Sequence, residues 1–369
     1  MTPDVTGLLL ITLSALGAQG QDLYEEDPAA SAPVRAEAYH QLIGYVDSLA
    51  AAETPLSPLW TPKYGSIDAY AASTAPLVGE LRARMGYPSP GALAEPSVRR
   101  ERVAEDDVAT YSRMWIEVFE GVELYSLFIV PKGLDGPAPL LITQHGGGGA
   151  PELATFAGGA NYHDMVRGAV SEGYVAWAPA LVFNTFGDGE LLPQGIRPLL
   201  DARARRAGVT LAAIEITAIT TALTAVLRQP EIDPERVGMV GLSYGGFYTL
   251  YTAALEPRIK VAVSSCFFND RASVLAAAEP HGWGDMSYLG AGRLIDDADV
   301  AALICPRPLQ VQVGVSDDLF PVEGARAAAP KARLHWEELG LGDRFEFIDA
   351  EGTHEWFGPP AWAFLRKWL

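Results

Sequence analysis

The chain has 369 residues, of which 49% are hydrophobic and 20% are charged. This length suits one large α/β domain with additions or two ordinary domains, and the composition predicts a folded chain without extensive disorder. The formal net charge of −19 argues against nucleic acid as a partner, because affinity for a phosphate backbone depends on clustered lysine and arginine.

The cysteines and histidines predict neither a disulfide framework nor a metal site. Cys266 and Cys305 are the two cysteines, and their separation matches no metal-ligand spacing. The six histidines include no pair at helical ligand spacing and no His-Glu-x-x-His motif. We therefore expect a protein that works without a metal or another cofactor.

The first predicted element is a short apolar stretch at residues 7–17. It resembles the core of a secretory signal, but no lysine or arginine precedes it and Asp4 stands where a signal carries positive charge. Residues 2–4 (Thr-Pro-Asp) fit the cap and first turn of a helix that Gly17 ends. The stretch is also shorter than the about 18 residues of a membrane span. We expect an uncleaved helix, no membrane span and a cytoplasmic rather than a secreted protein.

Residues 1–105 carry amphipathic helical patterns that proline and glycine interrupt. Two of these patterns cover residues 34–51 and 74–85, and Gly86 is placed to end the second. No glycine-rich catalytic turn occurs in this segment. We predict a helical N-terminal extension that packs on a catalytic domain spanning residues 106–369.

From Tyr111 onward, short β-rich runs alternate with helical segments. Residues 114–119 and 122–130 flank Glu120-Gly121 and predict an antiparallel hairpin. The alternation that follows predicts an α/β fold, with a mostly parallel sheet of about eight strands and helices on both faces. The further predicted strands cover residues 140–143, 175–179, 237–240, 261–264, 309–313 and 345–349.

A candidate nucleophile, Ser243, lies in a Gly-x-Ser-x-Gly pattern at residues 241–245. The residues before it predict a strand and those after it predict a helix. A strained strand-to-helix turn lifts a serine hydroxyl out of the sheet towards a general base, and glycine on both sides avoids a steric clash. The N-terminal N–H groups of the following helix favour the negative charge that develops. This context predicts a serine nucleophile more specifically than the short pattern does.

In such a fold an acid and then a histidine follow the serine along the chain, each in a loop after a later strand. Asp317 and Asp318 follow the run at 309–313, and His354 follows the run at 345–349. We expect His354 to take the proton of the serine and return it to the leaving group, while a carboxylate orients the imidazole. Asp317 is the preferred acid because it comes first after the strand, and Asp318 is the alternative.

The predicted oxyanion hole needs two backbone N–H donors. Tyr244, directly after the serine, supplies one by position. The other is expected from residues 144–149 (Gln-His-Gly-Gly-Gly-Gly), where glycine lets the backbone approach the substrate. Gly147 is the first choice and Gly148 the second, and His145 is expected to brace this loop. A phosphate-binding loop is disfavoured because no Lys-Ser/Thr follows the glycines.

Two stretches without strand character, about 183–208 and about 269–301, interrupt the alternation. Long insertions at the carboxyl ends of parallel strands usually line the ligand crevice, so we predict that these two contribute a lid and pocket walls. Aromatic side chains within the second insertion or beside the predicted acid and base are candidates for the wall of the substrate pocket. They are Trp283, Tyr288, Phe320 and Trp356.

Taken together, the chain resembles the α/β-hydrolase superfamily, and within it the dienelactone hydrolase, acetyl xylan esterase and prolyl oligopeptidase-like groups. The resemblance covers about residues 112–369 and implies the fold and the Ser-Asp-His triad. Dienelactone hydrolases have cysteine where this chain has Ser243, and residues 1–105 are too short for the propeller of prolyl oligopeptidases. A compact esterase with a helical N-terminal extension is the nearest likeness. The motifs that carry it lie at residues 145–149, 233–246, 314–321 and 352–355.

The sequence thus predicts a carboxylic ester hydrolase that works through an acyl-enzyme, with a small-molecule or saccharide ester as its substrate. A peptidase or amidase with the same residues is the alternative, because amide cleavage needs the same machinery and a well-placed proton donor. A non-catalytic scaffold on a hydrolase fold is disfavoured because every member of the triad is present. Neither the acyl group nor the oligomeric state follows from the sequence.

Overall fold

The computed structural model of the protein describes residues 27–51, 59–156, 161–183, 195–271, 274 and 284–369. The chain divides into two units, Met1–Leu49 and Ala50–Leu369. Helix α1 (Ala32–Ala51), most of which lies in the first unit, confirms the helix predicted at residues 34–51. The predicted helix at residues 7–17 and the candidate pocket residue Trp283 lie outside the described residues.

The second unit contains a sheet of nine described strands and further helices. The strands are β1 (Val98–Glu105), β2 (Ala109–Phe119), β3 (Val122–Pro131), β4 (Ala138–Gln144), β5 (Val175–Pro179), β6 (Ile232–Leu242), β7 (Val261–Ser265), β8 (Leu309–Gly314) and β9 (Phe345–Ala350). The helices are α2 (Ile67–Met85), α3 (Pro151–Phe156), α4 (Met165–Ser171), α5 (Ile196–Arg206), α6 (Leu211–Val226), α7 (Tyr244–Leu255), α8 (Asp297–Ala302), α9 (Val322–Glu338) and α10 (Gly358–Trp368).

The strands lie in the order β1-β2-β3-β5-β4-β6-β7-β8-β9. The pairs β1/β2, β2/β3 and β3/β5 are antiparallel, and every pair from β5/β4 to β8/β9 is parallel. All seven residues of β4 are buried, as expected for a parallel strand that helices cover on both faces. Buried apolar residues form two clusters, one of which includes residues of α2, α6, α7 and α9, and the other residues of α4 and α10. The predicted α/β fold with a mostly parallel sheet is therefore confirmed.

The prediction that residues 1–105 are helical is wrong for its last eight residues, because Val98–Glu105 forms strand β1. This strand pairs with β2 at the edge of the sheet, and seven of its eight residues are exposed. Its sequence is mostly charged, so it lacks the apolar alternation that identifies a half-buried strand, and such charge is common on sheet edges.

Helix α2 belongs to the same unit as the sheet rather than to a separate extension. Its N-cap Ser66 accepts a hydrogen bond from Ala69 N at 3.1 Å, and the helix ends at Gly86, whose φ is 75°. A Cβ on Gly86 would lie 2.6 Å from Gly208 O, so glycine is required there for both conformation and space. Leu77 and Leu81 are fully buried in the larger core cluster. The predicted helix end is confirmed, whereas the predicted domain boundary after residue 105 differs from the observed division after Leu49.

Within the described residues, no single helix is long and apolar enough to cross a membrane. Helices α5 and α6 pass that test only when they are taken together, and they meet at 91°. Most residues of α6 are buried, which is typical of a core helix in a globular domain.

Candidate active site

Ser243 occupies a strained turn between β6 and α7. Its φ is 61° and its ψ is −121°, a conformation that non-glycine residues rarely adopt outside functional turns. A Cβ on Gly241 would overlap Gly245 O, and a Cβ on Gly245 would overlap Gln144 O. Both glycines of the motif are therefore required by the fold, and the predicted strand-turn-helix arrangement around Ser243 is confirmed.

Asp317, in the turn after β8, is the acid that the structure brings to His354. Its Oδ2 lies 2.8 Å from His354 Nδ1, and its Oδ1 accepts hydrogen bonds from Leu319 N at 2.8 Å and Phe320 N at 3.0 Å. The Asp317 side chain is 0% exposed, whereas Asp318 is an exposed residue. The geometry thus favours Asp317 over the alternative acid.

The negative charge of Asp317 is stabilised by its hydrogen-bond partners. Burial by itself would raise the pKa of this carboxyl, but the hydrogen bond and charge of His354 and the two backbone N–H groups outweigh burial and hold the pKa below its usual range. Asp317 is therefore ionised at neutral pH, where it can orient the imidazole. With Nδ1 engaged by the carboxylate, the Nε2 atom of His354 is the one left to act on a serine hydroxyl.

The loops that carry the three residues are joined to one another. Ser243 N donates to Ser265 O at 2.9 Å, and the hydroxyl of Ser265 donates to Glu355 O, next to His354, at 3.3 Å. A Cβ on Gly314 would overlap Thr353 O, so the acid loop and the histidine loop approach each other closely only with glycine there. The carboxyl ends of β6, β7, β8 and β9 therefore bring these segments to one edge of the sheet.

The glycine loop after β4 lies directly against the nucleophile turn. A Cβ on Gly146 would lie 3.0 Å from Ser243 Cβ, and a Cβ on Gly147 would lie 3.0 Å from the Tyr244 ring. Gly148 has a φ of 63°. The structure thus brings the predicted donor residues Tyr244 and Gly147 together, and their role in an oxyanion hole stays a prediction.

His145 braces this loop, as expected from the sequence. One ring nitrogen, Nδ1, lies 2.9 Å from Gly146 O, and the other, Nε2, accepts a hydrogen bond from Leu181 N at 2.9 Å. Burial lowers the pKa of His145 to about 4, so the ring is neutral at pH 7. A neutral imidazole with Nδ1 as the donor and Nε2 as the acceptor satisfies both contacts.

The candidate pocket aromatics lie in different environments in the structure. Phe320 is fully buried and stacks on the His354 ring with the centroids 5.7 Å apart. Tyr288 is buried, and its hydroxyl donates to Ile295 O at 3.3 Å. Trp356 is 2% exposed and packs edge-to-face on Trp362 in the smaller core cluster. The structure brings Phe320 into contact with His354, whereas Tyr288 and Trp356 are buried against other side chains; that any of the three lines a substrate pocket stays a prediction.

One group of metal-binding residue types occurs among the described residues, and it contains the predicted acid and the predicted base. Candidate ligand atoms of Cys266, Asp317 and His354 lie within 4.8 Å of one another. Burial, assisted by the charge of Asp317, raises the pKa of the Cys266 thiol to about 12, and the thiol donates to Glu355 O at 3.3 Å. Cys266 is buried, and its hydrogen bond to Glu355 makes it part of the packing between the loops.

Sequence reasoning missed a buried polar cluster beside the site. Arg197 of α5 bonds to both Glu215 of α6 and Asp285, and the hydroxyl of Tyr244 donates to Asp285. A second omission is Tyr162, whose hydroxyl accepts a hydrogen bond from Gly146 N at 2.8 Å. The sequence carries a signal for the first, because Glu215 is the lone charge in the apolar helix α6 and a lone buried charge requires a partner.

The fold is that of the α/β-hydrolases. It has their strand order and a strained serine turn after β6, and the loops of the acid and the histidine follow that turn in the expected chain order. Residues 153–279, which include Ser243, match the dienelactone hydrolase family. The predicted resemblance to the α/β-hydrolases is therefore confirmed, and the family match agrees with the predicted class of carboxylic ester hydrolases.

Two individual proteins are similar to the chain in sequence. The chain is 24% identical over 282 residues to YtaP of Bacillus subtilis (strain 168), a match that covers 74% of this chain and 93% of YtaP. It is 31% identical over 144 residues to the quorum-quenching protein AidA of Acinetobacter baumannii (strain MDR-ZJ06), which covers 38% of this chain and 40% of AidA.

Solved structures show the fold. A glucuronoyl esterase from Solibacter usitatus superposes with a TM-score of 0.64 at 16% identity, covering 85% of this chain and 97% of that one. Acetyl xylan esterase 1 from Thermoanaerobacterium sp. JW/SL YS485 superposes with a TM-score of 0.55 at 18% identity, covering 86% of this chain and 99% of that one.

Proposed function

We propose that the protein is a serine esterase that hydrolyses carboxylic esters through an acyl-enzyme, with Ser243, His354 and Asp317 as its catalytic triad. The observation that carries the proposal is the Asp317–His354 contact of 2.8 Å at the same sheet edge as the strained Ser243 turn. The match of residues 153–279 to a hydrolase family supports the same reaction class.

Acylation begins at the hydroxyl of Ser243. Its Oγ attacks the carbonyl carbon of the ester while His354 Nε2 takes the hydroxyl proton, and Asp317 stabilises the imidazolium through Nδ1. The negative charge that forms on the carbonyl oxygen is stabilised by the N–H groups of Tyr244 and Gly147. Collapse of the tetrahedral intermediate breaks the bond to the alcohol oxygen, which takes the proton from Nε2 and leaves as the alcohol.

Deacylation repeats these steps with water. His354 Nε2 takes a proton from the water as its oxygen attacks the acyl carbon, and the same N–H donors stabilise the second oxyanion. The Ser243–acyl bond then breaks, Ser243 regains its proton from Nε2, and the carboxylic acid is released. The ionised state of Asp317 at neutral pH supports both halves of this cycle.

Esters of saccharides are the first substrates to test. Proteins that share this fold include an acetyl xylan esterase and a glucuronoyl esterase, so an ester in which a sugar supplies the alcohol or the acid is a reasonable class. Acetate release from acetylated xylan, measured beside hydrolysis of p-nitrophenyl esters of increasing acyl length, will identify the preferred acyl group.

The proposal is tested at Ser243. A fluorophosphonate probe should label this residue, as located by peptide mass spectrometry, and Ser243→Ala should lose both labelling and hydrolysis of p-nitrophenyl acetate. Ser97→Ala is the matched control, because it makes the same substitution at a serine far from Ser243 in the sequence, and it should behave as wild type. Undiminished turnover by Ser243→Ala would refute the proposal, and a preference for p-nitroacetanilide over the matched ester would favour a peptidase or amidase.

A further inference from the structure

A buried ion-pair cluster lies beside the predicted oxyanion hole. Arg197, which is 4% exposed, donates from Nε to Asp285 Oδ2 at 2.5 Å. Its Nη1 and Nη2 atoms donate to the two carboxylate oxygens of Glu215 at 2.9 and 2.8 Å. Glu215 and Asp285 are themselves only 7% and 6% exposed. One guanidinium therefore joins α5 to α6 and to the turn at Gly284–Met286 in the second insertion.

The cluster contacts the residue that follows the nucleophile. The Tyr244 hydroxyl donates to Asp285 Oδ1 at 3.1 Å, and the Arg197 guanidinium lies 5.1 Å from the centre of the Tyr244 ring. Phe183 packs edge-to-face on the same ring at 4.8 Å and lies 4.3 Å from the guanidinium. Gly147 borders the ring as well, because a Cβ there would lie 3.0 Å from it. The position of the Tyr244 ring therefore affects both predicted oxyanion donors.

A second path leads from the cluster to the glycine loop. Val182 O accepts a hydrogen bond from Arg197 Nη1 at 3.2 Å, and Val182 N donates to Glu215 Oε1 at 3.0 Å. The neighbouring Leu181 N donates to the ring of His145, which braces Gly146. Arg197 thus holds the segment that follows β5 against the loop that carries Gly147.

Stability alone does not account for this cluster. Burying one guanidinium and two carboxylates carries a large desolvation penalty, and apolar residues of similar volume often stabilise a core as well or better. A buried ion pair does supply directional bonds that hold several segments in one geometry. Here those bonds converge on the segments around Tyr244 and Gly147.

We propose that Arg197 is a positioning residue of the oxyanion hole. Through Asp285 it holds the Tyr244 ring, and through Val182 it holds the glycine loop, so that the N–H groups of Tyr244 and Gly147 stay directed at the same point. The inference rests on the proposed esterase function and adds a residue to the site of that function. Because the donors act on charge that develops in the transition state, Arg197 affects kcat much more than KM.

The test compares Tyr244→Phe and Arg197→Lys with the wild-type chain. Tyr244→Phe removes the hydroxyl that bonds to Asp285 and keeps the ring, and Arg197→Lys keeps the charge but cannot bond to both carboxylates in the same way. With p-nitrophenyl acetate we expect kcat to fall about tenfold for Tyr244→Phe, the effect of one hydrogen bond to a charged group, and more for Arg197→Lys. KM should change little.

Affinity for a transition-state mimic separates positioning from a general loss of structure. Phenylboronic acid forms a tetrahedral adduct with a reactive serine, so its inhibition constant should rise by about the same factor by which kcat/KM falls. The double variant should be no worse than Arg197→Lys alone, because both changes act through Asp285.

Arg258→Met is the matched control. Arg258 is a half-buried arginine that bonds to Glu256 at 2.6 Å and to Thr220 O at 2.8 Å, in the second half of α6. Its loss should lower the melting temperature and leave kcat unchanged. Wild-type kcat in folded Tyr244→Phe and Arg197→Lys would overturn the inference, and so would losses confined to KM. If Ser243→Ala is inactive in the same assay, the proposed function stands and only the role of Arg197 fails.

Discussion

Replacing Asp317 by asparagine tests the proposed acid of the proposed triad through the tautomer of His354. Asp317 Oδ1 accepts hydrogen bonds from Leu319 N and Phe320 N at 2.8 and 3.0 Å, so in Asp317→Asn the amide oxygen must stay on that side. The amide NH₂ group then faces His354 Nδ1, where Oδ2 now lies at 2.8 Å. A donor in that position requires an unprotonated Nδ1 and places the ring proton on Nε2. An Nε2–H group cannot accept the proton of Ser243.

The expected loss follows from this wrong tautomer and from the missing charge beside the imidazolium. In serine hydrolases it is about 10³- to 10⁴-fold in kcat, which corresponds to about 4 to 5.5 kcal/mol of transition-state stabilisation. Little change is expected in the fold, because the two side chains have the same shape and the backbone contacts are kept.

The assay measures kcat for the hydrolysis of p-nitrophenyl acetate at pH 7.5, and the melting temperature of each variant is measured beside it. Asp318→Asn is the matched control, because Asp318 is adjacent in the chain and exposed. It should keep wild-type activity. The reasoning is refuted if Asp317→Asn retains more than about a tenth of the wild-type kcat, or if Asp318→Asn loses as much activity as Asp317→Asn.

Two further predictions concern the glycine loop and a buried histidine. Gly147→Ala places a methyl group about 3.0 Å from the Tyr244 ring and should lower kcat about 10- to 100-fold. Gly136→Ala, where the new methyl group meets nothing within 4 Å and the backbone φ is not positive, should keep the wild-type kcat. Equal kcat values for the two variants would contradict this prediction. Burial lowers the pKa of His335, which stacks on Trp60, to about 4. The unfolded chain, with a pKa of about 6.5, therefore binds the extra proton first, and stability falls by about 3 kcal/mol as the pH falls from about 6.5 to about 4. Urea titrations should show a smaller dependence on pH in His335→Gln, and a constant difference from wild type would contradict this.

The local motifs were predictable because short-range chemistry requires them. The turn at Ser243 needs glycine at Gly241 and Gly245, since the backbone of β4 and α7 leaves no space for a Cβ at either position. Helix α2 ends at Gly86 for a similar reason. Such positions have few permitted residues, so the residue type by itself indicates the structure.

Strand β1 could not be predicted in the same way. Its charged sequence has no apolar face, and it is a strand because its backbone pairs with the exposed edge of β2. Edge pairing is a property of the neighbouring strand, and the sequence of the edge strand therefore contains little information about it.

The chain order of the proposed nucleophile, acid and base follows from the sequence alone, because each of these residues comes after a strand that could be predicted from its own residues. Only the tertiary structure favours Asp317 over Asp318 as the proposed acid, because it brings His354 and the N–H groups of Leu319 and Phe320 to the carboxylate of Asp317.

The same holds for the buried cluster around Arg197. Its partners Glu215 and Asp285 lie 18 and 88 residues further along the chain, and only folding brings them together. A catalytic turn has a local signature because backbone geometry restricts its residues. A contact between distant side chains has at most half a signature: the lone charge of Glu215 in apolar α6 indicates that a partner is needed, but only the fold selects Arg197 from the many residues that could supply it.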